Sequence, residues 1–244
     1  MRQVVADMHT HTLASTHAYS TLLENADYAR EIGLHGIGFT DHGPLTPDSP
    51  HIWHAASIMH TIPESIHGIR IYRGVEASLT DFKGGLDVPK DIYSMLEWVI
   101  ASCHSTPTTY PSSIAEMTDG WLAILNDPYV DLMGHSGTPK YEYDYDTVAK
   151  EAAKLGKIIE INSHSFVARR GAKQNCRDIA RMCKKHGTYI SINSDAHFAF
   201  EIGRGGEAYE MLDEIGFPDE LVLNNSVEKL EKYFAAKKER LALL

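Results

Sequence analysis

Asp7-Met8-His9-Thr10-His11 lies directly after the apolar run Val4-Val5-Ala6. Side chains of a strand alternate between its two faces. Two imidazoles two residues apart at a strand's end therefore point the same way and can hold one metal ion from one side. Toward the other end of the chain, Tyr189-Ile190-Ser191-Ile192-Asn193 runs into Ser194-Asp195-Ala196-His197, which repeats the device with one carboxylate. Between them, further apolar runs end in His42, Glu76, His104 and His135, and His17 lies in the loop after the first run. A nitrogen-rich set with two carboxylates suits zinc, iron or manganese, whereas oxygen-only cages suit magnesium or calcium. These donors are too many for one ion. At three to four protein ligands each they fit about three ions with one shared carboxylate, leaving positions for water and substrate. The chemistry such a centre performs is metal-assisted hydrolysis.

Donors scattered this widely need a scaffold that delivers many strand ends to one spot. Strands are expected at about residues 4–8, 36–40, 69–75, 98–103, 130–134 and 158–161, then from Tyr189, with a short last one at 221–223. Helices alternate with them. Thr21-x-x-Glu24 reads as a capping box opening a helix closed at Gly33. Others are expected at 113–126, from a cap at Asp146 to before Gly156, at 175–186 closed by Gly187, at 207–215, and at 227–241 with a charged outer face. Residues 44–63, with four prolines, are expected to form a lid or a long loop outside the core. An open doubly wound sheet would bind ligands at one crevice served by few strands. Convergence of nearly every strand end requires closure, so the expected fold is α/β, a distorted (β/α)7 TIM-like barrel with its site at the C-terminal face. No repeat or boundary divides the chain, and residues 1–244 are expected to form one domain.

The formal net charge of −10 argues against binding long nucleic acid or an anionic membrane surface. It leaves a small phosphorylated substrate open, because local charge decides what a metal site attracts. Cys103, Cys176 and Cys183 form no CxxC pair and indicate neither a zinc finger nor a disulfide framework. They are expected to be buried thiols, Cys103 on the opposite face from His104. No apolar run approaches membrane-spanning length and no basic-then-apolar leader is present, so a cytoplasmic location is expected.

Asp7-Met8-His9-Thr10-His11-Thr12, Ser15-Thr16-His17-Ala18-Tyr19-Ser20, Thr40-Asp41-His42-Gly43-Pro44, Gly74-Val75-Glu76-Ala77 and Ser194-Asp195-Ala196-His197 resemble the motifs of the PHP (polymerase and histidinol phosphatase) family. Order and spacing are similar to those of the YcdX-type phosphatases over nearly the whole chain. The resemblance implies a distorted (β/α)7 barrel with a trinuclear site, most commonly zinc, with manganese or iron as alternatives. It implies that His9, His11, Glu76 and Asp195 hold one ion. Glu76 would bridge to a second, completed by His104 and His135, and His17, His42 and His197 would hold the third. The expected reaction is hydrolysis of small phosphomonoesters by a metal-bridging hydroxide, with Glu76 and Asp195 as catalytic carboxylates and Asp195 moving the proton.

Phosphate also needs fixed donors. Arg169-Arg170-Gly171 follows the sixth strand and Arg204 follows His197, both at the substrate face. Arg170, Arg204 and His164 are the expected substrate contacts. His51, His54 and His60 read as loop histidines without a chemical role, and His35 and His186 as helix-end residues meeting the last carbonyls. Asp7 shares strand parity with His9 and His11 and is expected to orient an imidazole. The alternatives within the same chemistry are histidinol phosphatase and a phosphodiesterase or exonuclease; the acidic chain counts against the last. An amidohydrolase would place a lysine at a strand end, and none is there. A non-catalytic metal-binding module would have filled coordination spheres.

Overall fold

Seven parallel strands, hydrogen-bonded in chain order, make up the frame of the computed structural model, which describes residues 3–104, 110–111 and 113–243. They are β1 (Ala6–Thr10), β2 (Gly36–Phe39), β4 (Ile69–Ser78), β5 (Trp98–Ser102), β6 (Leu132–Gly134), β7 (Ile158–Asn162) and β8 (Ile190–Asn193). A two-residue arm, β3 (Ser65–Ile66), pairs antiparallel with β4. The helices are α1 (Leu22–Glu31), α2 (Trp53–Thr61), α3 (Lys90–Tyr93), α4 (Ile114–Leu125), α5 (Tyr145–Leu155), α6 (His164–Ala168), α7 (Ala172–His186), α8 (Gly206–Glu214) and α9 (Val227–Leu241). The result is a nearly closed (β/α)7 barrel. Among the described residues no helix is long and apolar enough to cross a membrane.

Two apolar clusters separate the faces of the strands. The larger lies between strands and helices and holds Ile37, Val99, Met133, Ile159, Ile192 and the three buried cysteines. The smaller fills the barrel's interior with Ala6, Met8, Tyr72, Trp98, Ile100, Leu132 and Ile158, and Leu230 of α9 packs against it. Above this plug the inward positions turn polar: Glu76, Glu160 and Asn193 are fully or almost fully buried. Cys103 belongs to the outer cluster, on the opposite face from the neighbouring imidazole, as alternation requires.

The closing seam is not a ladder. Among the described residues β1 and β8 share no ladder; just beyond β8 an isolated parallel bridge joins Thr10 to Ala196, with the His11 amide donating to the Ala196 carbonyl at 2.9 Å. Lower down, the buried side chain of Asn224 fills the gap. Its Nδ2 donates to the carbonyls of Ala6 at 2.8 Å and Ile192 at 2.7 Å, and its Oδ1 accepts from the Ile192 amide at 3.1 Å. One carboxamide thus satisfies backbone groups of both edge strands, as a missing strand would have done.

Several local expectations are corrected. Residues 44–63 contain α2, whose Ala55 and Ile58 are buried, because its apolar face packs on β4 despite the surrounding prolines. Residues 221–223 form no strand: two 3₁₀ turns, Asp219–Leu221 and Leu223–Asn225, flank a single bridge at Val222. The cap of α5 is Asp144, whose carboxylate accepts from the amides of Asp146 and Thr147, while Asp146 sits in the first turn. His186 reaches another helix instead of its own last carbonyls: its Nε2 lies 2.8 Å from Asp146 Oδ1 and ties α7 to α5. The short α6, directly after β7, was not expected and carries His164 to the mouth.

Candidate metal centre

Glu76 stands at the centre. Because β4 runs on to Ser78, its carboxylate projects from the strand's inner face rather than from a loop. Its Oε1 lies 2.9 Å from His135 Nε2 and 3.5 Å from His104 Nε2. Its Oε2 lies 3.2, 3.3 and 3.5 Å from the Nε2 atoms of His42, His9 and His11. Asp195 Oδ1 is 3.1 Å from His11 Nε2 and 3.6 Å from His9 Nε2. The ring of His197 sits 4.4 Å from that of His11 and 4.1 Å from that of His17. All nine side chains expected as metal ligands therefore converge on one place. His135 and Asp195 hold positive φ values of 27° and 55°, a backbone conformation costly for non-glycine residues and common where a site dictates side-chain direction.

The donor atoms fit divalent cations. His9 Nε2, His197 Nε2 and both Glu76 oxygens are buried without a well-aligned hydrogen bond. Leaving such atoms dry and unpaired is costly unless a cation satisfies them. Donor triads within 4.8 Å of one another include His9, His11 and Glu76; His11, His42 and His197; and His42, Glu76 and His104. Burial opposes ionisation of Glu76, yet the imidazoles of His9 and His104 hold its carboxyl well below the usual range. Asp195 is likewise kept ionised against burial by His9 and His11. Burial and the neighbouring His42 push His11 down to about 3, which leaves it a lone pair for a cation. Against burial, Asp48 and Glu76 push His42 up to about 10.

Two carboxylates that sequence reasoning missed stand behind the imidazoles. Glu160, on the inner face of β7, receives His9 Nδ1 at 2.8 Å, Asn193 Nδ2 at 2.8 Å, the His135 amide at 2.6 Å and Asn162 Nδ2 at 3.1 Å. Asp48, in the segment after β2, lies against the Nδ1 atoms of both His17 and His42. Asp7 does not orient an imidazole. The pairing of β1 with β2 slips by one residue between Asp7 and Thr10, so Met8 and His9 both face inward and Asp7 faces away from the histidines. Its carboxylate instead receives the Ser194 amide and hydroxyl and the Gly203 amide, which anchors the loop carrying Asp195 and His197.

A cavity of about 220 Å³ opens over the cluster, lined by His17, His42, Glu76, His104, His164, Arg169 and Asp195 among others. The arginine here is Arg169, whose Nη1 is 2.7 Å from Ser165 Oγ and 3.9 Å from Asp195 Oδ2. Arg170 is exposed and does not line the cavity, because α6 turns the chain so that Arg169 faces in. Arg204 lines an adjoining cleft with Ser163, His164, Ser194 and Glu201, and His164 is shared by both openings. His54 lies outside the cluster, its Nε2 3.0 Å from Asp41 Oδ2.

A seven-stranded barrel with imidazoles and carboxylates gathered at its C-terminal mouth defines a class, and comparison with known proteins places the chain within it. Residues 7–195 match the family model described as PHP domain, and the chain belongs to that family. A probable phosphatase of Acetivibrio thermocellus is 44% identical over 237 residues, 97% of this chain and 98% of the relative. A probable phosphatase of Clostridium novyi is 45% identical over 234 residues, covering 96% and 95%. Among solved structures, a histidinol phosphate phosphatase from Lactococcus lactis, complexed with zinc, L-histidinol and phosphate, superposes with a TM-score of 0.61. At 19% identity, covering 87% of this chain and 94% of that one, it shares the fold.

Proposed function

We propose that the chain is a metal-dependent phosphatase acting on small phosphomonoesters at a trinuclear centre, with zinc as the first-choice ion. One observation carries this reading: the buried Glu76 carboxylate presents both oxygens, without well-aligned hydrogen bonds, to five imidazoles. The names of the curated relatives support it. His9, His11, Glu76 and Asp195 would hold one ion, Glu76, His104 and His135 a second, and His17, His42 and His197 a third. Bound ions would supply an acidified water and neutralise charge on the phosphoryl oxygens.

The chain's own groups do the rest. Arg169, braced by Ser165, offers N–H donors to a phosphoryl oxygen at the cavity's edge. Asp195, held ionised, accepts the proton of the attacking water. His164 and Arg204, in the adjoining cleft, are placed to meet the alcohol part of the ester.

The deciding experiment measures metal content and hydrolysis of a phosphomonoester panel, histidinol phosphate included, before and after chelation. Activity should vanish on chelation and return with zinc or manganese. Glu76→Ala should lose at least two ions and drop turnover by about 10²-fold or more. Full metal content and turnover in that variant would overturn the scheme. Stoichiometric metal with no hydrolysis of any ester would make the chain a metal-binding module.

A further inference from the structure

His17 is the expected ligand least secured by its own surroundings. It sits in the loop after β1, and its side chain is 57% exposed. Among the described residues its polar partner is Asp48, whose Oδ2 lies 2.6 Å from His17 Nδ1; the same oxygen lies 2.9 Å from His42 Nδ1. A carboxylate oxygen only accepts, so both Nδ1 atoms carry the hydrogen, and when an ion holds the rings in their neutral form each Nε2 is the nitrogen left with a lone pair. The two rings are stacked, 5.5 Å apart and 17° from parallel. The far edge of His42 meets the centre, with Nε2 3.2 Å from Glu76 Oε2. The ring of His17 lies 4.1 Å from that of His197. The segment is docked there by its backbone as well, since the Asp48 carbonyl accepts from the Thr16 amide at 2.9 Å.

We propose that Asp48 is the positioning residue of the outermost ion, gripping the backs of His17 and His42 with one oxygen so that both present Nε2 lone pairs to it. This rests on the metal centre of the function proposed above. Without the grip, His17 is free to rotate, and ordering it falls on the ion. The inner donors do not depend on Asp48: Glu160 holds the His9 imidazole and the His135 backbone amide, and His9, His11 and Glu76 are fully buried. One ion of the three is therefore expected to answer to this carboxylate. His17, His42 and Asp48 also form a triad within 4.8 Å, but an ion seated there would need lone pairs on Nδ1. It would leave His42 Nε2 carrying a hydrogen toward Glu76, away from the other donors.

The test is zinc titration and bound-metal analysis of the full chain as wild type, Asp48→Asn, His17→Ala and the double variant, with histidine N–H resonances recorded by NMR on the zinc-loaded protein. In Asp48→Asn the third equivalent should bind about 10- to 100-fold more weakly, with the first two unchanged. The wild type should show hydrogen-bonded Nδ1–H signals for His17 and His42 that the variant loses. Adding Asp48→Asn to His17→Ala should cost less than it does alone, because the hold on His17 is then already gone and only that on His42 is left to lose. Three tight equivalents in Asp48→Asn, loss of all three together, or loaded wild type lacking hydrogen on both Nδ1 atoms would each overturn the proposal. Since occupancy is read without turnover, a chain that holds three ions but hydrolyses nothing would sink the phosphatase reading and leave this one standing.

Discussion

The nine donors could be read from the sequence because each follows or ends an apolar run of strand length, apart from the loop residue His17. What stands behind them was harder to see. Parity from an unbroken strand assigns Asp7 to the same side as His9, and the bulge in β1 undoes that assignment. The bulge has a counterpart across the ladder at Gly38, where any Cβ would strike the Met8 carbonyl. Glu160 did have a signal: it is the carboxylate in Ile158-Ile159-Glu160-Ile161, on the inward parity of β7. Asp48 had none, since only the folded loop brings it to two imidazoles. Because Glu160 accepts four hydrogen bonds while fully buried, Glu160→Gln would set an amide N–H against donors it now receives. The variant should bind zinc about 10- to 100-fold more weakly and lose about 2 kcal/mol of stability, read by metal titration and denaturant unfolding. Wild-type affinity in that variant would show that His9 needs no partner behind it.

At the scale of elements, helices announced by caps were legible and those set by tertiary contact were not. Thr21 and Glu24 form the expected capping box and Gly187 closes α7 in the left-handed region, while α9, without a side-chain cap, still spans the expected Val227–Leu241. The residues directly before α2 and α6 make no side-chain cap; His51 Nδ1 accepts from the Trp53 amide and Asn162 Oδ1 from the Ser165 amide, while packing on β4 and the exit from β7 set where the two helices lie. The barrel's lower rim adds a pH-dependent tie. Glu97, just before β5, receives Arg73 Nε at 2.9 Å and Arg70 Nη2 at 2.7 Å, both arginines on β4. Against the effect of burial, Arg73 and then Arg70 pull its carboxyl down to about 2 from 4.5. A carboxyl depressed in the folded state stabilises it above the unfolded value and loses that contribution as pH falls through the folded one. The tie, worth about 1 kcal/mol after solvent screening, is therefore present above about pH 4.5 and lost toward pH 2. Glu97→Gln should be less stable than wild type at pH 6, and the gap should narrow by pH 3 in urea unfolding curves. A gap independent of pH would assign the role of Glu97 to packing instead.

For the whole molecule, two devices add to the backbone bridge in closing the barrel, and the sequence signals them differently. Imidazoles and carboxylates from both ends of the chain announce that the strand ends meet, whereas nothing in Leu223-Asn224-Asn225 reveals that one amide replaces a strand. Asn224 bridges β1 and β8 from below, through Ala6 and Ile192. The donor cluster bridges the same seam from above, through His9 and His11 on one side and Asp195 and His197 on the other. A ligand that binds only the folded chain stabilises it by mass action, so chelation should lower the thermal midpoint and zinc should restore it. Removing Asn224 leaves backbone groups of both edges buried without partners, so Asn224→Ala should cost the metal-free protein about 2–4 kcal/mol. The ions span the seam independently of that amide, and the rise in midpoint on adding zinc should be at least as large in Asn224→Ala as in wild type. Calorimetry of both proteins with and without zinc checks this. If zinc no longer stabilised the variant, the upper and lower closures would be one cooperative unit; if metal-free Asn224→Ala matched wild type, the amide would not be closing the barrel at all.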